Sequence, residues 1–148
     1  MPSARTYKGS CHCGAIRVQL KSATPAAKLA VRACQCGFCT RHGVISVCDP
    51  KGKATIEFDE DSLVRYQFAS FTSEYIVCAN CGTYVGAFLR DGKGRKGWSI
   101  ANVRGLALAE FADRAPEKVE YEGEEDEARI ARRKANWTPT ELKLARGD

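Results

Sequence analysis

The chain has 148 residues, 44% of them hydrophobic and 28% charged, a net charge of +5, and eight cysteines against two histidines. These are the values of one globular domain; they exclude wholesale disorder and leave no room for a cofactor domain beside a separate substrate domain. The apolar runs are only a few residues long, which excludes a membrane-spanning helix.

Read in chain order, Met1–Arg5 carries charge with no apolar stretch behind it, so it does not read as an export signal and a cytoplasmic location is expected. Alternation and β-branched residues predict strands over 15–20, 28–33, 44–48, 55–58 and 63–69. Two more, over 74–78 and 83–89, flank a cysteine knuckle, and a short one is expected over 98–103. One or two helical turns are expected over 106–112. A helix is expected over 124–134, where acidic residues lead and Arg129, Arg132, Arg133 and Lys134 follow. Ile130 is its one strong apolar anchor, so it reads as a surface helix or an appended arm. The expected organisation is a β-rich domain over 1–109 and a charged, partly helical extension over 110–148.

Charge is distributed unevenly. Residues 1–109 carry +8, residues 110–127 carry −7 and residues 128–148 carry +4. The basic body suits an anionic ligand, while the acidic block argues against a nucleic-acid partner.

Seven of the eight cysteines fall in tight clusters: Cys11-x-Cys13, Cys34-x-Cys36-x-x-Cys39 and Cys78-x-x-Cys81. Without an export signal, clustered thiols read as metal ligands rather than disulfides. The outer pairs, each followed by a glycine, supply four thiolates and fit a closed tetrahedral zinc site. An iron–sulfur cluster, buried free thiols and a redox dithiol at Cys78 and Cys81 are the alternatives. Cys34, Cys36 and Cys39 supply three thiolates and leave a fourth position open, the arrangement a catalytic zinc keeps. His42, three residues beyond Cys39, is a candidate proton carrier or fourth ligand. Cys48 is the other candidate fourth ligand, although it reads better as a core thiol. Arg17, Arg41 and Arg104 are candidates for drawing in an anionic thiol, with a solvated surface role as the alternative.

Three segments together resemble the glutathione-dependent formaldehyde-activating enzyme family and are similar to centromere protein V proteins. They are Gly9-Ser10-Cys11-His12-Cys13-Gly14-Ala15-Ile16-Arg17, Cys34-Gln35-Cys36-Gly37-Phe38-Cys39-Thr40-Arg41 and Cys78-Ala79-Asn80-Cys81-Gly82-Thr83. The resemblance implies a mainly β, Mss4-like body of small zinc-bound sheets, here with a short helical C-terminal extension. It implies a structural zinc on Cys11, Cys13, Cys78 and Cys81, and a second zinc on Cys34, Cys36 and Cys39. It also implies a carbon–sulfur lyase activity joining formaldehyde, or another small aldehyde, to a thiol such as glutathione. Cys34, Cys36, Cys39 and His42 are then the expected catalytic residues. The sequence departs from the family pattern over Phe71–Val77, where an arginine is absent and Glu74 stands. The other function class open to the sequence is a non-catalytic, zinc-stabilised binding module for protein or nucleic acid.

Overall fold

The computed structural model describes residues 4–145, so part of the N-terminal stretch read for export, Met1–Ser3, lies outside the described residues. Among the described residues the chain forms eleven strands: β1 (Arg5–Ser10), β2 (Ile16–Ser22), β3 (Val31–Cys34), β4 (Ser46–Val47), β5 (Lys53–Phe58), β6 (Leu63–Tyr66), β7 (Glu74–Cys78), β8 (Tyr84–Arg90), β9 (Lys96–Asn102), β10 (Glu117–Val119) and β11 (Thr138–Leu144). Two α-helices, α1 (Gly37–His42) and α2 (Asp126–Asn136), interrupt them. All eight expected strands are present with shifted ends, and α2 is the expected helix. The turns expected over 106–112 reduce to a single 3₁₀ turn, Ala109–Phe111, anchored by the buried Phe111 ring against Tyr7 at 5.1 Å. The mainly β, Mss4-like fold class therefore stands.

The strands run in the order β1-β2-β5-β11-β9-β4-β3-β10, and a branch β6-β7-β8 joins at β9. β9 is the junction. It pairs β8 along one edge, and β11 then β4 along the other. The main core lies under β2, β5, β8 and β11, with Ile16, Ile56, Phe88 and Leu142 buried in it. β8 is buried along nearly its whole length, which explains its continuous apolar run rather than an alternating one.

The C-terminal segment is not an appended arm. β11 lies inside the sheet, parallel to β5 and antiparallel to β9. Thr138, Thr140 and Leu142 face inward, and Pro139 is tolerated because pairing with β5 begins one residue later, at Thr140. α2 is tied down by this strand. Its buried residue is an arginine, Arg133, and it runs directly into the buried Trp137.

The position of β11 makes a stability prediction. Leu142→Ala should cost about 2–5 kcal/mol, the usual range for a leucine truncated in a packed core. Denaturant unfolding of the metal-loaded chain measures it. A loss under about 0.5 kcal/mol, the size of a surface substitution, would contradict the interior placement of the strand.

Candidate functional site

The first cysteine cluster is built from two tight turns. Cys11 follows β1 and Cys13 precedes β2; Cys78 ends β7 and Cys81 precedes β8. The glycine after each pair adopts the left-handed conformation expected of it, with φ of 85° at Gly14 and 79° at Gly82. Gly14 N–H donates to the Cys11 carbonyl at 3.1 Å and Gly82 N–H to the Cys78 carbonyl at 2.9 Å, which closes the two turns. Backbone N–H groups also point at the sulfurs: Ile16 N–H lies 3.3 Å from Cys11 Sγ and Cys81 N–H 3.5 Å from Cys78 Sγ.

All four sulfurs lie within 4.8 Å of one another. Cys13 Sγ is 3.7 Å from both Cys11 Sγ and Cys78 Sγ. A zinc–sulfur bond of about 2.3 Å gives a tetrahedron with edges of about 3.8 Å. The four residues could therefore hold a zinc ion. Cys11 and Cys78 are buried and belong to the main core, so a metal here would join the β1–β2 hairpin to the β7–β8 pair.

The second cluster sits where β3 runs into α1. Cys34 ends β3, Cys36 is the N-cap of α1 and Cys39 lies in its first turn. Cys36 Sγ accepts a hydrogen bond from Cys39 N–H at 3.3 Å. The segment Gly37–His42 is thus a helix, too short and too poor in apolar residues to announce itself by periodicity. The three sulfurs also lie within 4.8 Å of one another. Among the described residues, neither His42 nor Cys48 brings a ligand atom that close to all three.

Charge explains why three thiols in contact suit a cation. Hydrogen bonds from Cys34, then Cys39, draw the Cys36 thiol down. Its bonds with Cys34 and Cys36 push Cys39 far up, and the bond with Cys36 leads in raising Cys34. One sulfur ionises at the expense of its neighbours, and a bound cation is what would let all three ionise together.

Aromatic rings support the cluster. Phe38 on α1 meets Tyr75 and Tyr84 edge-on at 5.0 and 4.9 Å. Burial raises both tyrosine hydroxyls, and the Tyr84 hydroxyl finds no hydrogen-bond partner among the described residues. Two cavities open on the cluster. A small one of about 100 Å³ is lined by Cys34, Cys39, Tyr75 and residues of α2, and a wider one of about 420 Å³ shares Cys34, Tyr75 and Arg133 with it.

The structure places the remaining expected residues elsewhere. His42 is exposed, rests against the Phe38 ring at 4.4 Å and lines neither cavity. Arg17 is paired with Glu57 and Asp59, each at 3.0 Å. Arg41 and Arg104 donate to the backbone carbonyls of Gly37 and Gly43 at 3.1 Å. The arginines that do line the small cavity are Arg32, Arg132 and Arg133. The sequence alone makes Arg132 and Arg133 charges on the surface of a helix; their place beside the cluster depends on β11 anchoring α2. Cys48 is buried, and burial raises its thiol as expected of a core position, yet it lines the same cavity. Among the described residues no helix is long and apolar enough to cross a membrane.

Comparison with known proteins agrees with this geometry. The family model described as glutathione-dependent formaldehyde-activating enzyme matches residues 6–121, which include all seven clustered cysteines. A crystal structure of a Rhodobacter sphaeroides protein is similar at a TM-score of 0.55 and 25% identity, over 76% of this chain and 99% of that one. None of the curated proteins compared matches the chain.

Proposed function

The chain belongs to the glutathione-dependent formaldehyde-activating enzyme family, and from that premise we propose that it is a zinc-dependent enzyme of the carbon–sulfur lyase type. Its substrate is the adduct of a small thiol, glutathione in the first instance, with formaldehyde or another small aldehyde. The observation that carries this reading is the second cluster: three sulfurs within bonding reach of one metal, no fourth ligand atom from the described residues, and two cavities leading to it.

Cys11, Cys13, Cys78 and Cys81 would hold a structural zinc, and Cys34, Cys36 and Cys39 a second one. A zinc ion at the second cluster supplies Lewis acidity, which favours the thiolate form of a thiol at neutral pH. The chain's own residues do the rest. The cavities bring thiol and aldehyde into one small volume, which replaces an encounter in solution by a held pair. Tyr75, which lines both cavities, and Phe68, which lines the wider one, form an apolar wall that keeps water off the reacting carbon. Thiols add to formaldehyde unaided, so the required acceleration is modest.

The experiment is the rate of S-hydroxymethylglutathione formation with and without the zinc-loaded protein, at about pH 6, where little of a free thiol with a pKa near 8.5 is ionised. The expected result is a rate above background that rises in proportion to protein. A rate equal to background at high protein concentration would remove the catalytic reading and favour the binding module.

A further inference from the structure

The small cavity carries positive charge that the protein does not neutralise. Arg133 is only 7% exposed. Its Nη1 donates to Thr72 Oγ1 at 2.8 Å and to Ser73 Oγ at 2.6 Å, and both acceptors are neutral hydroxyls. Among the described residues, its buried Nε has no hydrogen-bond partner. The guanidinium sits over the Trp137 ring, 4.9 Å from its centroid. Across the cavity, Arg32 Nη1 lies 3.8 Å from Cys48 Sγ. Among the described residues, neither Arg32 nor Arg133 has a carboxylate oxygen within 4.0 Å, whereas Arg132 is held by Glu124 at 3.0 Å. Among the described residues, no Asp or Glu lines this cavity.

A charge this deeply buried is ordinarily paired, because the loss of hydration must be offset by an opposite charge. Within this cavity, the cysteine cluster with its metal would be the source of one, since Cys34 and Cys39 line the same walls. Three thiolates around a divalent zinc carry a single net negative charge. Two unpaired guanidiniums exceed it, so positive charge is left over, facing a cavity lined by Cys34 and Cys39. An arginine fork held in place by two hydroxyls is suited to two-point recognition of a carboxylate. The cavity, about 100 Å³, holds the volume of about three waters. That admits an acid group and excludes a peptide, whose remainder would lie in the wider adjoining cavity.

We propose that the cavity between β3 and α2 is an anion subsite, with Arg133 and Arg32 as its recognition residues, and that it selects thiols carrying a carboxylate. This rests on the reading of the second cluster as a thiol site. It also gives a role to residues that follow the family-matched region: Arg133 and Trp137 lie beyond residue 121.

The test uses the full-length, zinc-loaded chain, with tryptophan fluorescence and calorimetry as readouts and zinc content and circular dichroism as controls for folding. The probes are glutathione, S-methylglutathione (carboxylates, no free thiol) and 2-mercaptoethanol (thiol, no carboxylate). Glutathione is expected to bind at least tenfold more tightly than 2-mercaptoethanol. Arg133→Met should erase that preference, and Arg133→Lys should restore part of it. Arg32→Gln provides a second variant on a different element, in case replacing Arg133 unfolds α2. If S-methylglutathione binding depends on Arg133 or Arg32 while no thiol effect is seen, the anion subsite stands and the thiol reading fails. If both thiols bind equally, and equally in Arg133→Met and Arg32→Gln, the subsite is overturned and the thiol reading survives. If the arginine variants lose zinc without changing the preference for the anionic thiol, the arginines serve the metal alone and the subsite is likewise overturned.

Discussion

Cys78→Ser is expected to release one of two zinc ions and to abolish the cooperative unfolding transition at room temperature. Serine nearly matches cysteine in size, so packing is retained and the change falls on the metal. Cys78 is 1% exposed and sits in the main core with Cys11. The four-sulfur cluster joins segments 65 residues apart, Cys13 to Cys78, whose sulfurs meet at 3.7 Å. Structural zinc in small domains contributes about 10–16 kcal/mol of apparent binding free energy at neutral pH. The whole stability of a domain is only about 5–15 kcal/mol. Loss of this site therefore exceeds what the core can absorb. Cys48→Ala is the control: it removes a buried thiol outside both clusters and should keep both metals. A Cys78→Ser chain unfolding within about 1 kcal/mol of wild type, an effect no larger than that of an average point mutation, would show that the cluster does not carry the fold.

The second large effect is expected at Cys36. Its sulfur caps α1 by accepting from Cys39 N–H. Serine is a good N-cap, so Cys36→Ser should preserve the helix while replacing a thiolate by a hydroxyl that zinc holds poorly. The expected outcome is the loss of one zinc, the loss of thiol–aldehyde activity to background, and retention of the first zinc. The stability cost should stay in the common range for single substitutions, about 1–3 kcal/mol. The two variants thus separate folding from chemistry: one metal for each. Full activity in Cys36→Ser would disconnect the second cluster from the reaction.

The cysteine clusters were legible because metal geometry acts locally. Two thiols on one tight turn need short spacing and a glycine free to take positive φ, and both features survive in the primary sequence as Cys11-x-Cys13-Gly14 and Cys78-x-x-Cys81-Gly82. The strands that bury hydrophobic faces were legible for the same reason. What escaped was structure stabilised at long range. β1 has a single buried side chain among its central residues, Tyr7, and owes its extended form to β2. β11 presents threonines to the interior, and these read as polar until their partners are known. Thr138 Oγ1 accepts from Asp49 N–H at 2.8 Å, and Thr140 shares a hydrogen bond with Ser99 at 2.7 Å. α2 looked like a solvated helix because its charges outnumber its apolar residues. Only after β11 enters between β5 and β9 is α2 drawn down over Cys34 and Cys39, with Arg133 reaching Thr72 and Ser73. The arginines that the sequence offers for an anionic thiol, Arg17, Arg41 and Arg104, are engaged elsewhere, and those near the second cluster in space come from β3 and α2.

On the proposed function, seven cysteines hold two zinc ions and one of the two keeps a position for a thiol. Zinc-edge X-ray absorption on the fully loaded chain tests it most directly, because it counts sulfur neighbours without reference to activity. With four sulfurs at one metal and three at the other, about 3.5 sulfurs per zinc at about 2.3 Å are expected. Saturating glutathione should raise the mean to about four, the number of a full tetrahedral shell, and should leave Cys36→Ser unchanged. A single zinc per chain, or a mean already at four sulfurs and unmoved by glutathione, would contradict it.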